Sequence, residues 1–242
     1  MRTSNPALGE QVFQKSAQIG NFNSTMTLEG TVNRSFILIL LVLLSGSLSW
    51  HYASSAYAVI FMATGGILGF ILAMITVFKQ SWASVTAPAY ALAEGLFLGA
   101  ISGLFDAAFH GIVFQAVVLT IGVFLLLLLA YKTGFIKATE KFKMGVFAAT
   151  GAIGLIYLVS MVMGFFGTTI PYIHESGTIG IAFSLIVVVV AALNLILDFD
   201  FIETGVERGA PKFMEWYAAF GLLVTLVWLY IAILRLLAKL RD

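Results

Sequence analysis

Seven separate stretches of this chain stay apolar for about 20 residues each, the length a helix needs to cross roughly 30 Å of hydrocarbon. They cover approximately residues 35–53, 56–78, 85–105, 111–131, 145–165, 179–199 and 215–236. Hydrocarbon offers no water to satisfy backbone N–H and C=O groups, so such stretches cross as helices whose hydrogen bonds close internally. The expected fold is therefore all-α: an integral membrane bundle of seven transmembrane helices over residues 35–242, preceded by a polar tail over residues 1–34. Composition agrees, since 60% of the 242 residues are hydrophobic and 10% charged, with a mean hydropathy of +1.01. The tail, with Arg2, Glu10, Lys15 and Glu29, lacks the short charged start, apolar core and small-residue cleavage site of a signal peptide. With a net charge of +1 and no basic stripe, nucleic acid is not an expected partner; the lipid bilayer is. The absence of cysteine removes disulfides, thiolate metal sites and Cys nucleophiles.

Charge alternates between the connections. Arg2, Lys15 and Arg34 precede the first stretch, Lys79 follows the second, Lys132, Lys137, Lys141 and Lys143 follow the fourth, and Arg208 and Lys212 follow the sixth. The connections near 51–55, 106–110 and 166–178 hold no Lys or Arg, and all three histidines lie in them. The positive-inside rule then places the N-terminus in the cytoplasm and the histidine-bearing connections outside. Arg235, Lys239 and Arg241 conflict with that rule if the seventh stretch crosses fully. A full crossing is expected from its length, with a re-entrant last helix as the alternative.

Between helices in lipid, close packing rests on small residues. Gly95, Gly99 and Gly103 recur every fourth residue on one face of the third stretch, and Gly65 with Gly69 repeats the pattern in the second. The expectation is flush packing inside one bundle rather than a dimer interface. No internal repeat stands out, and seven spans do not divide into two equal inverted halves, which counts against the repeat-built transporters.

Ionisable groups inside the spans are costly and usually mark an ion or proton path. Glu94 lies about nine residues into the third stretch, roughly 14 Å from its end, too deep to snorkel. Desolvation favours its neutral or hydrogen-bonded form, and it reads equally well as a proton-titrating pathway group or as a neutral bond between helices. In and after the sixth stretch come Asn194, Asp198, Asp200, Glu203 and Glu207. Asn194 and Asp198 share a helical face and Asp200 points away, so one aspartate is expected inside the bundle and the other at its rim. Asp200 and Glu203 fall one turn apart if the helix continues past the membrane edge. Glu203 and Glu207 read more simply as a solvated helix end, and Gln115 and Thr225 as helix-to-helix hydrogen bonds.

The sequence gives no support to enzymatic readings. A helical zinc site would need two histidines four apart, an intramembrane serine protease would need a buried histidine, and a retinal receptor would need a lysine within the last span. No enzyme, cofactor or metal site is expected.

Four segments together resemble a known family. MRTSNPAL at 1–8, MTLEGTVNRS at 26–35, LDFDFIE at 197–203 and LYIAILRLL at 229–237 are similar, in order and spacing, to the bacterial branch of the Bax inhibitor-1 family. The resemblance implies a seven-helix fold with the last helix at its centre, in a bacterial inner membrane. It also implies, from some members, a pH-sensitive calcium leak in which an aspartate ending the sixth helix shares a proton with one in the seventh. The first falls on Asp200, or on Asp198 if the register slips by two. The second position is Thr225, which can bond a carboxylate but cannot share its charge. An arginine that pairs with the sixth-helix aspartate in some members has no match in the second stretch. Another bacterial branch, with a hydroxyl residue at the position of Thr225, is thought to modulate a membrane-bound AAA protease.

The functional expectation is a proton-sensitive calcium or cation leak closed on its cytoplasmic side. Asp200 and Asp198 would sense pH, Thr225 would orient the carboxylate, Asn194 would share the face of Asp198, and Glu94 would line or lock the path. The alternative is an interaction protein whose polar tail engages a membrane protease. A coupled transporter is a third reading, resting on a helix break at Gly164, Gly167 and Pro171.

Overall fold

In the computed structural model, residues 25–53, 55, 57–168, 175 and 177–242 are described. The first 24 residues, His174 and Pro171 lie outside them. Among the described residues the chain is all-α, with seven helices long and apolar enough to cross a membrane: α1 (Leu28–His51), α2 (Tyr57–Phe78), α3 (Ala83–Ala108), α4 (Ile112–Lys132), α5 (Glu140–Phe165), α6 (Thr178–Glu207) and α7 (Met214–Arg241). A single 3₁₀ turn, Gln80–Trp82, joins α2 to α3.

Several helices outrun the apolar stretches that announced them, because capping chemistry sets their ends and hydropathy does not. Helix α1 starts at Leu28, where Thr27 in extended conformation accepts a hydrogen bond from Gly30 N–H at 3.0 Å and Glu29 occupies the first turn. Thr139 caps α5 in the same way through Phe142 N–H at 3.3 Å. Helix α1 thus begins at Leu28, ahead of the apolar stretch that opens near residue 35, and Met26 is buried with only 2% of its surface exposed. Helix α6 runs on through Glu207, which puts Asp200 and Glu203 on one continuous helix a turn apart. It stops where Gly209 takes the left-handed conformation at φ 61°, open to glycine without a Cβ penalty.

The helices fall into two compact units. One comprises the described residues up to His110 together with Asp198–Val224, and so contains α1, α2, α3, the end of α6 and the start of α7. Here α3 packs along both α1 and α2. The glycine stripe makes that possible: a Cβ on Gly95 would strike Ser45 and the Val42 backbone of α1, and one on Gly99 would strike Gly46 and Ser49. A Cβ on Gly65 would come within 2.7 Å of Ala93 O on α3. Flush packing within one bundle is thus what the glycines serve. Thr76 and Thr86 add a buried hydroxyl-to-hydroxyl bond of 2.7 Å between α2 and α3. Beneath the start of α7 an apolar cluster gathers Met26, Ala83, Phe201, Ile202, Met214 and Tyr217.

The other unit contains Gly111–Leu197 and Thr225–Asp242, hence α4, α5, most of α6 and the rest of α7. Ile153, Val187, Val190 and Ala232 form its core. Lys239 Nζ donates to Gly180 O at the start of α6 (3.1 Å), and Arg241 donates to Gln115 Oε1 near the start of α4 (2.9 Å). Helix α7 is unbroken over 28 residues, so its chain does not turn back on itself as a re-entrant helix would. It is also the most buried of the seven. Outward-facing residues such as Phe36, Phe70, Phe114 and Leu126 are 66–74% exposed, the surface that a bilayer covers. Gly164 lies inside α5 and Gly167 in the turn after it, so neither interrupts a span.

Candidate functional site

Glu94 sits in the middle of α3, half-buried, on the face turned to α2. Space for its carboxylate comes from Gly69 of α2, where a Cβ would lie 3.0 Å from Glu94 Oε2. One turn earlier on α3, the Tyr90 hydroxyl hydrogen-bonds the same carboxylate. Tyr90 is itself 5% exposed, and its ring meets Phe220 of α7 edge-on, with centroids 4.9 Å apart. The phenol donates to the carboxylate, and the aromatic pair fixes where the phenol points.

The two aspartates of LDFDFIE separate by burial. Asp198 is 4% exposed and flanked by the buried Leu197 and Phe199, whereas Asp200 is partly exposed and Glu203 and Glu207 are on the surface. The period of the helix explains this, because residues two apart point about 200° away from each other. Asp198 is therefore the inward group and Asp200 the more exposed one.

Asn194, one turn before Asp198, is committed elsewhere: its amide nitrogen donates to Thr150 Oγ1 of α5 at 2.9 Å and to Val190 O at 2.8 Å. It is a tie between α5 and α6. Thr225 is buried on α7, 6% exposed. Gln115 does bond another helix, through Arg241. At the histidine-bearing ends, His110 approaches Asp106 at 3.9 Å, and His51 stacks edge-on against Tyr52 at 5.1 Å.

Among the described residues Glu215 has the least exposed carboxylate, and it was not singled out from the sequence. Its side chain is 0% exposed in the first turn of α7. Oε1 accepts from Thr27 N–H (3.0 Å), Thr27 Oγ1 (2.8 Å) and Lys212 Nζ (2.7 Å). Oε2 faces Arg34 Nε at 3.4 Å. Gly30 leaves the room, since any Cβ there would collide with the carboxylate. The signal was available in outline, because MTLEGTVNRS carries a helix cap, a glycine and an arginine within about two turns.

The comparisons with known proteins extend this description to a family. No curated protein matches the chain. A family model described as Bax inhibitor 1 like matches residues 5–242, nearly the whole chain and every one of the seven helices. The chain belongs to the Bax inhibitor-1 family of multi-pass membrane proteins.

Proposed function

We propose that this protein is a proton-sensitive cation leak, with calcium as the ion, in which buried carboxylates set the conductance. The observation that carries the reading is Asp198, an aspartate 4% exposed on a 30-residue helix that is otherwise apolar over most of its length. In this reading Asp198 gates the path and Asp200 attracts cations at its mouth. Glu94, braced by Tyr90, is a second protonatable group in the bundle, and Thr225 supplies a hydroxyl in place of a second aspartate. Asn194 supports α6 without touching the ion.

The test is calcium entry into dye-loaded proteoliposomes over roughly two pH units around neutrality, comparing the intact protein with Asp198→Asn, Asp200→Asn and Glu94→Gln. Flux that depends on pH and changes most in Asp198→Asn supports the leak. Folded protein that gives no more flux than empty vesicles at any pH overturns it.

A second reading draws on Thr225 itself. With a hydroxyl where a gating pair would need a second carboxylate, the chain also suits a regulator of a membrane-bound protease that conducts nothing. Deleting residues 1–24 separates the two, since a leak keeps its flux without them and a protease regulator loses its effect.

A further inference from the structure

The segment just ahead of α1 is fastened to the start of α7 by one backbone bridge, one buried side chain and one carboxylate. Thr25 and Pro211 form a single antiparallel bridge, and Met26 N–H donates to Ala210 O at 2.7 Å. Met26 inserts as a plug into the cluster that includes Ala83 and Met214. The rest of the attachment is electrostatic and centres on Glu215. Its Oε1 takes three donors, yet among the described residues neither Oε2 nor Arg34 Nε makes a hydrogen bond, although the two lie 3.4 Å apart.

Glu215, with no exposed side-chain surface of its own, thus holds the two segments together at a single point, through three donors and one arginine. An ion pair out of water repays its desolvation only when geometry is excellent and every lone pair is used. Arg34 is further drawn to the Trp216 ring, 5.1 Å from its centroid, and both Arg34 and Lys212 keep solvent contact, at 27% and 40% exposure. The clamp thus has one side sealed in protein and another open to water. Such an arrangement specifies one docked position while its water-facing side offers the charged partners an alternative, which suits an element that docks and releases.

We infer that residues 25–27, steadied by Arg34 on the first two turns of α1, form a releasable latch on the seventh helix, with Glu215 as its catch and Met26 as its plug. What the latch fixes is the first two turns of α7. These carry Tyr217, against Phe201 at 6.3 Å, and Phe220, against Tyr90 at 4.9 Å, and Tyr90 bonds Glu94. Releasing the latch frees the helix end that holds this aromatic chain in place. The latch does not depend on whether the protein conducts, so its test stands apart from the flux assay.

The chain has no cysteine, which allows single reporters. Ala83, 0% exposed in the cluster under Met26, is changed to Cys in the full-length protein, and its labelling by a water-soluble maleimide is timed. Glu215→Gln, and separately Thr27→Val, are expected to speed labelling by about tenfold or more, the change in open population that losing a charge-assisted hydrogen bond produces. A disulfide between Thr25→Cys and Pro211→Cys closes the latch covalently, since bridged residues hold their Cα atoms about 4.5–5.5 Å apart, within disulfide reach. Formed before labelling in the Glu215→Gln background, it is expected to restore slow labelling. Unchanged labelling in both single variants overturns the inference. So does fast labelling that the disulfide fails to slow, because exposure would then come from general loosening and not from release of this segment.

Discussion

The carboxylate of Glu94 rests on the bare Cα of Gly69, so that the smallest side chain on α2 would arrive 3.0 Å from Oε2. The neighbour is the tip of a flexible side chain, which can yield by a few tenths of an ångström. Gly69→Ala is therefore expected to fold and to cost about 1 kcal/mol or less, while Gly69→Leu overfills the notch and costs roughly 1–3 kcal/mol. Gly66→Ala, whose Cβ would meet Phe97 at an ordinary 3.6 Å, is the control and should be near neutral. Thermal unfolding in detergent ranks the three.

Gly99 presents the opposite case. A Cβ there meets Gly46 O and Ser49 Oγ of α1, and backbone cannot swing aside. Gly99→Val is expected to push α1 and α3 apart and to cost about 3 kcal/mol or more, enough to abolish a marginally stable fold. Gly122→Ala on α4 meets nothing within 4 Å and should be neutral or slightly stabilising, because alanine is the better helix former. Yield and melting temperature of the two variants side by side are the readout.

These two glycines also show what the sequence could and could not disclose. The four-residue spacing of Gly95, Gly99 and Gly103 is a local pattern, and it correctly announced a flush face. The partner helix was hidden, since nothing in the spacing says that Ser45 and Gly46 fill that groove. The same divide separates Asp198 from Glu215. Asp198 stands out because a carboxylate in an apolar run is anomalous by itself. Glu215 borders a basic connection and looks like a solvated helix start; its meaning lies in Thr27, 188 residues away. Periodicity and cost are written in neighbouring residues, whereas long-range partners are fixed only by the packed chain. Helix ends erred for a related reason: Thr27 and Thr139 cap α1 and α5 outside the apolar windows.

The Thr76–Thr86 bond joins two hydroxyls at 2.7 Å, and each hydroxyl also has a backbone carbonyl four residues back, Leu72 O and Trp82 O, to which its single proton can turn. Because each hydroxyl retains a local backbone partner, losing the other leaves nothing wholly unsatisfied. Thr76→Val and Thr86→Val are each expected to cost about 0.6 kcal/mol, the average for an interhelical bond in a membrane. The double variant should cost little more than either, and a double-mutant cycle measures the coupling directly.

Asn194 distinguishes support from conduction most sharply, because it lies one turn from Asp198 and yet spends its amide on Thr150 and Val190 O. Asn194→Leu is close in volume, so the loss is the interhelical bond: about 0.6 kcal/mol and at most roughly 1.7 kcal/mol. Thr150→Val should match it, and combining the two should add little, since both remove one contact. Calcium flux and its pH dependence are expected to stay at the level of the intact protein in Asn194→Leu while changing in Asp198→Asn. Melting temperature and flux measured on the same preparations decide the matter. A flux change in Asn194→Leu as large as that in Asp198→Asn would return Asn194 to the ion path and contradict the assignment of its amide to the tie between α5 and α6.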